Sequence, residues 1–363
     1  MKRRNIGLDI ARVAAIILVW VNHSGVFALG MDPRFMEFGG VVCLEVFFAL
    51  SGLLVGKSLI LTVTSSQPRV DMKNFYINRL IRTIPLYYLA LLATRLVFGN
   101  PIPWTNFFFL QSFRAKDLDF FPPSWSLPVE AWFYFLIPPV FFLLNRFFSP
   151  KKDRKTAIYL SAALLWLIPF LLRTVHILVN DPVWDFGVRK QILLRMDALM
   201  LGVFFAAMKL FEPERYRKIA KHPLTLLTAI AGILALYGWY YVDLSVADRF
   251  DHSAAGKMVI FTLLPLLCCL LVMYMENAQI WEKFRGTILE KLICGISSLG
   301  YSIYLVHYGV FHIIAPYVEG ARFLVSWLGF LSAIAITLLI SLITYKLIEE
   351  PLTKLKDKLV IKV

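Results

Sequence analysis

The residues equipped for chemistry begin in the first apolar stretch, GLDIARVAAIILVWVNHSG (7–25), where Asp9, Arg12 and His23 interrupt an otherwise hydrophobic run. Arg12 and His23 are eleven positions apart. That is close to three helical turns, so both project from nearly one face, about 16 Å apart along the axis. An ionisable side chain inside a bilayer costs a few kcal/mol or more, so such residues face a protein interior or a water-filled cavity. Singly, each has an ordinary explanation: an arginine reaching the interface, a histidine held as a structural hydrogen-bonder. On one face of the first helix they point to a shared task, with the imidazole suited to proton transfer.

Four more groups belong beside them. Glu45 lies in the apolar part of the second stretch, ahead of a Ser51-Gly52 pair; it either pairs with Arg12 or another cation, or serves chemistry. Arg79 and Arg82, three apart, leave the start of the third stretch together. They are either interfacial anchors or a fork for phosphate oxygens, which guanidinium groups grip in bidentate fashion. Trp125 and Glu130 stand at the mouth of the fourth stretch and suit a sugar, although a carboxylate in a first helical turn also complements the helix dipole. Ser124 or Ser126 is placed to cap that helix. Ser302, Tyr304, His307 and His312 share one late helix, where a hydrogen-bonded Tyr304–His307 core pair is the ordinary assignment.

The elements that must position these residues are membrane helices. Of the 363 residues 59% are hydrophobic and only 17% charged, which excludes a soluble protein. Apolar runs of about 20 residues recur along the chain, the pattern of an all-α polytopic membrane protein. Ten spans are expected, near 6–28, 39–60, 80–98, 127–148, 156–178, 191–211, 223–242, 256–275, 294–317 and 323–348. Pro85 should kink the third, and the aromatic segment WTNFFFLQSF in the loop after it is too short to span, so it dips into the interface or packs over a cavity. The net charge of +14 does not mean nucleic acid, because most of the 38 basic residues fall in alternate loops. These are Lys2 to Arg4, Lys57 to Arg82, Arg146 to Lys155, Lys209 to Lys221, Lys283 to Lys291 and Lys346 to Lys362. That distribution predicts cytoplasmic N- and C-termini in the inner membrane. No cleavage site follows the basic MKRR start, so a retained first helix and one membrane domain over 1–363 are expected. Cys43, Cys268, Cys269 and Cys294 lack metal-ligand spacing and read as small hydrophobes; no metal is expected.

Taken in order, the motifs resemble integral-membrane acyltransferase family 3, bacterial enzymes that O-acylate surface polysaccharides, peptidoglycan and related acceptors. Leu8-Asp9, Arg12 and His23 match its first-helix pattern; Phe47-Phe48-Ala49-Leu50-Ser51-Gly52 its FFxLSG motif, with Glu45 ahead; and Arg79 and Arg82 its paired arginines. Trp125, Ser126, Leu127 and Glu130 match WSLxxE, Tyr301, Ser302, Tyr304, Leu305 and His307 match YSxYLxH, and Glu350-Pro351 the closing E-P. The family often has a second acidic residue after the WSLxxE glutamate, where this chain has Ala131. Many members also carry a C-terminal hydrolase-like domain; a chain ending after span ten implies direct transfer or hand-over to a separate partner protein, and a homo-oligomer is open.

The resemblance implies an O-acyltransferase that takes an acyl group, acetyl first among candidates, from cytoplasmic acyl-CoA and delivers it to a glycan hydroxyl. In that reading Arg12, Arg79 and Arg82 meet the phosphates of CoA and His23 is the general base. Glu45 or Glu130 would hold its other ring nitrogen, while Trp125, Ser126, Tyr304 and His307 would contact the acceptor. The competing class is a transporter or flippase for a glycan or lipid-linked sugar, which ten helices with intramembrane charges also fit.

Overall fold

A computed structural model describes residues 4–150, 152–246 and 248–359. Of the basic residues named above, Lys2, Arg3, Lys151 and Lys362 lie outside them. The described residues are mostly helical, with no strand among them. The principal helices are α1 (Ile6–His23), α2 (Pro33–Val63), α3 (Pro68–Phe98), α4 (Ser126–Phe148), α5 (Arg154–Asn180), α6 (Ile192–Phe211) and α7 (Pro213–Lys221). They continue with α8 (Pro223–Trp239), α9 (Ala254–Asn277), α10 (Ile288–Ser298), α11 (Gly300–Ile314), α12 (Phe323–Thr344) and α13 (Glu350–Leu359).

Among the described residues, eight helical stretches are each long and apolar enough to cross a bilayer. A ninth forms if α10 and α11, bent by 71° about Leu299, count as one. The expected span 191–211 is α6, whose 20 residues cover about 30 Å but include Arg195, Asp197 and Lys209. Hydropathy locates the immersed part of a helix and not its ends. Thus α2 begins six residues before its expected span, where Asp32 accepts from the Arg34 amide and Pro33 takes the first turn. α3 begins at Pro68 rather than 80 and runs unbroken through Pro85. The short amphipathic helix α7 lay unmarked in what reads as a loop; it buries Tyr216 and Ala220 and ties to α9 through a 2.8 Å bond from the Tyr216 hydroxyl to Glu276.

α2 is the axis of the bundle, buried along most of its length and packed by α1, α3, α4, α6 and α9. Its closest neighbour is α6. A Cβ on Gly202 would come within 2.6 Å of Gly52 backbone, and one on Gly52 within 2.2 Å of the Leu199 carbonyl oxygen. Only hydrogen fits where these two backbones cross, as small residues permit in membrane helices.

Charges on α6 meet partners on both α2 and α5. Arg195 pairs with Glu45 of α2, and its guanidinium lies 4.7 Å from the centre of the Phe261 ring. Asp197 pairs with Arg173 of α5 at 2.5 Å, and Arg173 also donates to the Leu194 carbonyl and Thr262, each at 3.0 Å. All four side chains are buried.

Candidate active site

Six of the ten residues selected from sequence meet around one cavity of about 190 Å³ between α1, α2, α3, α4, α10 and α11. They are Arg12, Arg79, Arg82, Ser126, Glu130 and Tyr304. Each arrives by a local cause. Asp9, one turn before Arg12, holds that guanidinium at 3.0 Å and is itself held by Arg4 at 2.5 Å and by Ser297 of α10 at 2.6 Å. Arg79 and Arg82 leave α3 on adjacent faces, as their spacing requires. Ser126 and Glu130, four apart on α4, line the cavity together, and Ser51 donates a hydrogen bond to Glu130. The bend at Leu299 brings Ser297, Gly300 and Tyr301 under the same space. Three arginines thus share a cavity with a single carboxylate, Glu130. Such a site is built for an anion.

Beyond the cavity lies the histidine pair. The Tyr304 hydroxyl is 2.7 Å from the Ser126 hydroxyl and donates to the Pro123 carbonyl, while its ring centre is 6.1 Å from that of His307. His307 lies 5.2 Å from His23, ring to ring, and Tyr308 meets His23 edge-on at 5.4 Å. Nδ1 of His307 is 3.0 Å from the Ile303 carbonyl, which can only accept, so Nδ1 carries a proton. In the neutral ring Nε2 is then an unprotonated acceptor, buried and without a hydrogen-bond partner among the described residues. Tyr304 and His307 share a face without bonding to each other, contrary to the expected core pair.

The remaining candidates are placed elsewhere. Glu45 is bound to Arg195 and Glu130 to Ser51, so neither acid holds the His23 imidazole. Glu45 is drawn away because a buried arginine one helix over is its nearest compensation. Trp125 is buried and covered by Arg189, whose guanidinium stands 4.9 Å over the ring, so that face is closed to a sugar. Neither serine caps α4: Ser126 turns to Tyr304, and Ser124 accepts from Gln111 at 3.2 Å. At the closing E-P, Glu350 faces outward to Lys346 and Lys354, and it is Glu349 that accepts from Ser302 inside the bundle.

Sequence reasoning passed over Arg189, Ser51 as a hydrogen-bond donor, and Tyr134 and Tyr301 in the cavity wall. Arg189 had a signal, since Asp185, Arg189 and Lys190 crowd the aromatic segment WDFGVRK. In the structure both cations pair with Asp185.

With this geometry in hand the comparisons are decisive on kinship. The sequence matches an acyltransferase domain family over residues 5–346. The chain belongs to integral-membrane acyltransferase family 3. Within it, the chain is 25% identical over 370 residues to an O-acetyltransferase OatA of Staphylococcus aureus, covering 96% of this chain and 57% of that protein. It is 24% identical over 340 residues to the peptidoglycan O-acetyltransferase OatA of Listeria monocytogenes, covering 87% of this chain and 52% of that one. The chain therefore spans about half the length of these curated relatives. No solved structure matches it.

Proposed function

We propose that this family member is a membrane O-acyltransferase. It moves an acyl group, acetyl by preference, from cytoplasmic acyl-CoA to a hydroxyl of a cell-envelope glycan, with peptidoglycan the first acceptor to test given the names of its relatives. The observation that carries the reading is the cavity in which Arg12, Arg79 and Arg82 converge on one volume with a single carboxylate. CoA brings phosphates, and guanidinium groups in a low-dielectric site are the side chains suited to hold them. The pantetheine arm, long and thin, then runs past Tyr304 towards His23 and His307. There His23 accepts the proton of the acceptor hydroxyl, the oxygen attacks the thioester carbonyl, the carbon–sulfur bond breaks, and CoA leaves as the thiol after taking up that proton.

The test uses purified protein in detergent with isotopically labelled acetyl-CoA and soluble peptidoglycan fragments, reading labelled ester on the glycan by mass spectrometry. Arg79→Ala and Arg82→Ala should each weaken acyl-CoA binding by roughly ten- to a hundred-fold, the worth of one charge-assisted contact. Unchanged affinity in both variants would make them interfacial anchors. Movement of a glycan into vesicles without thioester consumption would favour a transporter.

A further inference from the structure

Beside the arginine-lined cavity is a second chamber of about 380 Å³, enclosed by α3, α4 and the segment that follows α3. Arg79, Thr83 and Tyr134 line both spaces, so the two share a wall. The second is otherwise apolar, walled by residues such as Leu80, Ile84, Ala131 and Leu110. Among its lining residues Trp104, Phe108 and Phe135 are each more than half exposed, so the chamber is open on that side.

Three polar groups in this lining are engaged within the protein. The Tyr76 hydroxyl donates to the Phe135 carbonyl at 3.2 Å, the Tyr88 hydroxyl to the Phe107 carbonyl at 2.7 Å, and Trp132 Nε1 to the Phe109 carbonyl at 3.0 Å. Arg79 differs. Its guanidinium lies between the Phe75 and Tyr134 rings, 5.7 Å from each centre, and its buried Nε has no hydrogen-bond partner among the described residues.

We propose that this chamber binds an anionic membrane lipid, its hydrocarbon chain against the apolar wall and its phosphate on Arg79. Apolar walls with one cation whose buried Nε lacks a hydrogen-bond partner among the described residues suit an amphiphile of net negative charge. A sugar would leave its hydroxyls unpaired against Ile84 and Leu110, and a free phosphate would leave those walls uncovered. A lipid satisfies both ends. Because Arg79 also faces the arginine-lined cavity, the lipid and acyl-CoA compete for one guanidinium. That coupling rests on the acyltransferase reading; the lipid site itself does not.

The experiment reconstitutes the full chain with phosphatidylglycerol or phosphatidylcholine carrying the same diazirine in the acyl chain, then maps cross-links by peptide mass spectrometry. Peptides covering 104–110 and 131–135 should be labelled by the anionic lipid with a preference on the order of tenfold, the size of one charge-assisted contact. The bare face of α12 around Leu324 to Leu331 should be labelled equally by both. Arg79→Gln should abolish the preference, and Ala131→Trp or Leu80→Trp should lower chamber labelling by either lipid while α12 labelling stays constant, which reports an intact fold. Equal labelling of the chamber by the two lipids, or chamber labelling no stronger than that of α12, overturns the proposal. Excess acetyl-CoA should displace the anionic lipid; if the lipid preference holds and displacement fails, only the acyl-CoA assignment falls.

Discussion

His23 and His307 stand ring to ring, and only their surroundings separate their roles. His307 is fully buried with Nδ1 committed to Ile303, whereas His23 closes α1, is half-buried and shows no hydrogen bond to an orienting acid among the described residues. We expect His23→Gln to lose acyl transfer by about 10²–10⁴ while still binding acyl-CoA, because glutamine cannot take the proton. Steady-state transfer with a parallel binding titration checks this; rates within a few-fold of the parent would pass the role of base to His307. Glu45 should behave in the opposite way. Replacing it by Gln leaves the Arg195 charge buried without its counter-ion, which costs about 3–5 kcal/mol, whereas Glu45→Leu with Arg195→Met removes both charges and restores much of that loss. Thermal unfolding in detergent distinguishes the two. An inactive Glu45→Gln protein that melts like the parent would return Glu45 to the chemistry.

At the scale of elements, the decisive contact is the crossing of α2 and α6 at Gly52 and Gly202. A side chain at either position must push the helices apart, and the Glu45–Arg195 pair straddles the same interface, while Arg173–Asp197 ties the other side of α6 to α5. Gly202→Val should therefore lower the melting temperature sharply and expose Cys268 and Cys269, now buried, to a thiol reagent. A normal melt with both thiols still protected would show that the interface tolerates the extra bulk. The turn at 184–191 has a pH signature of its own. Burial alone would raise the Asp185 carboxyl, but Arg189 and Lys190 outweigh it and hold it below its ordinary value. A depressed carboxyl stabilises the fold above its unfolded value near pH 4, and that contribution fades as the pH falls through the folded value. Asp185→Asn should remove this acid-side loss. Stability curves of the two proteins between about pH 3 and 7 should converge at the acid end, and parallel curves would mean that the pair contributes nothing.

For the whole molecule the open question is which way it faces. In the expected ten-span arrangement, which adds α6 to the eight long apolar helices and the bent α10–α11 pair, the loop after α3 and the loop before α9 fall on one side, and the α4–α5 connection, α7 and α13 on the other. The distribution of basic residues predicts that the second side is cytoplasmic. Tags after residues 115 and 248 should report as external, and tags at 152, 217 and 354 as internal, in an accessibility assay on intact cells. An external tag at 354 would sink the ten-pass arrangement. If the tags report that orientation, Arg12, Arg79 and Arg82 lie toward the cytoplasm and His23 toward the outside, the order that the proposed transfer from a cytoplasmic donor to an outer acceptor requires.

Several of these features were legible in the residues alone. Hydropathy marks where a helix must be immersed, so the eight long apolar helices and the bent α10–α11 pair were readable, while the tenth expected span, α6, falls outside that set; intramembrane charges are costly enough that Arg12, His23 and Glu45 stood out at once. The motif order carried the kinship. That the segment after α3 dips into the interface or packs over a cavity was also expected; Tyr87 and Tyr88, about 16 Å before the end of α3, receive it through Asn106 and Phe107, and it lines a chamber. What a single chain pattern cannot hold is the choice of partner. Glu45 had several cations within its reach in sequence terms, and only the packing of α6 on α2 chose Arg195. Glu349, not the motif residue Glu350, turns inward because the helical period at that point sends it toward Ser302. Trp125 looked available to a sugar until Arg189, from a loop 64 residues on, closed over it. Helix and burial are set by each segment's own free energy in lipid, but which side chains meet depends on crossings between segments far apart in the chain.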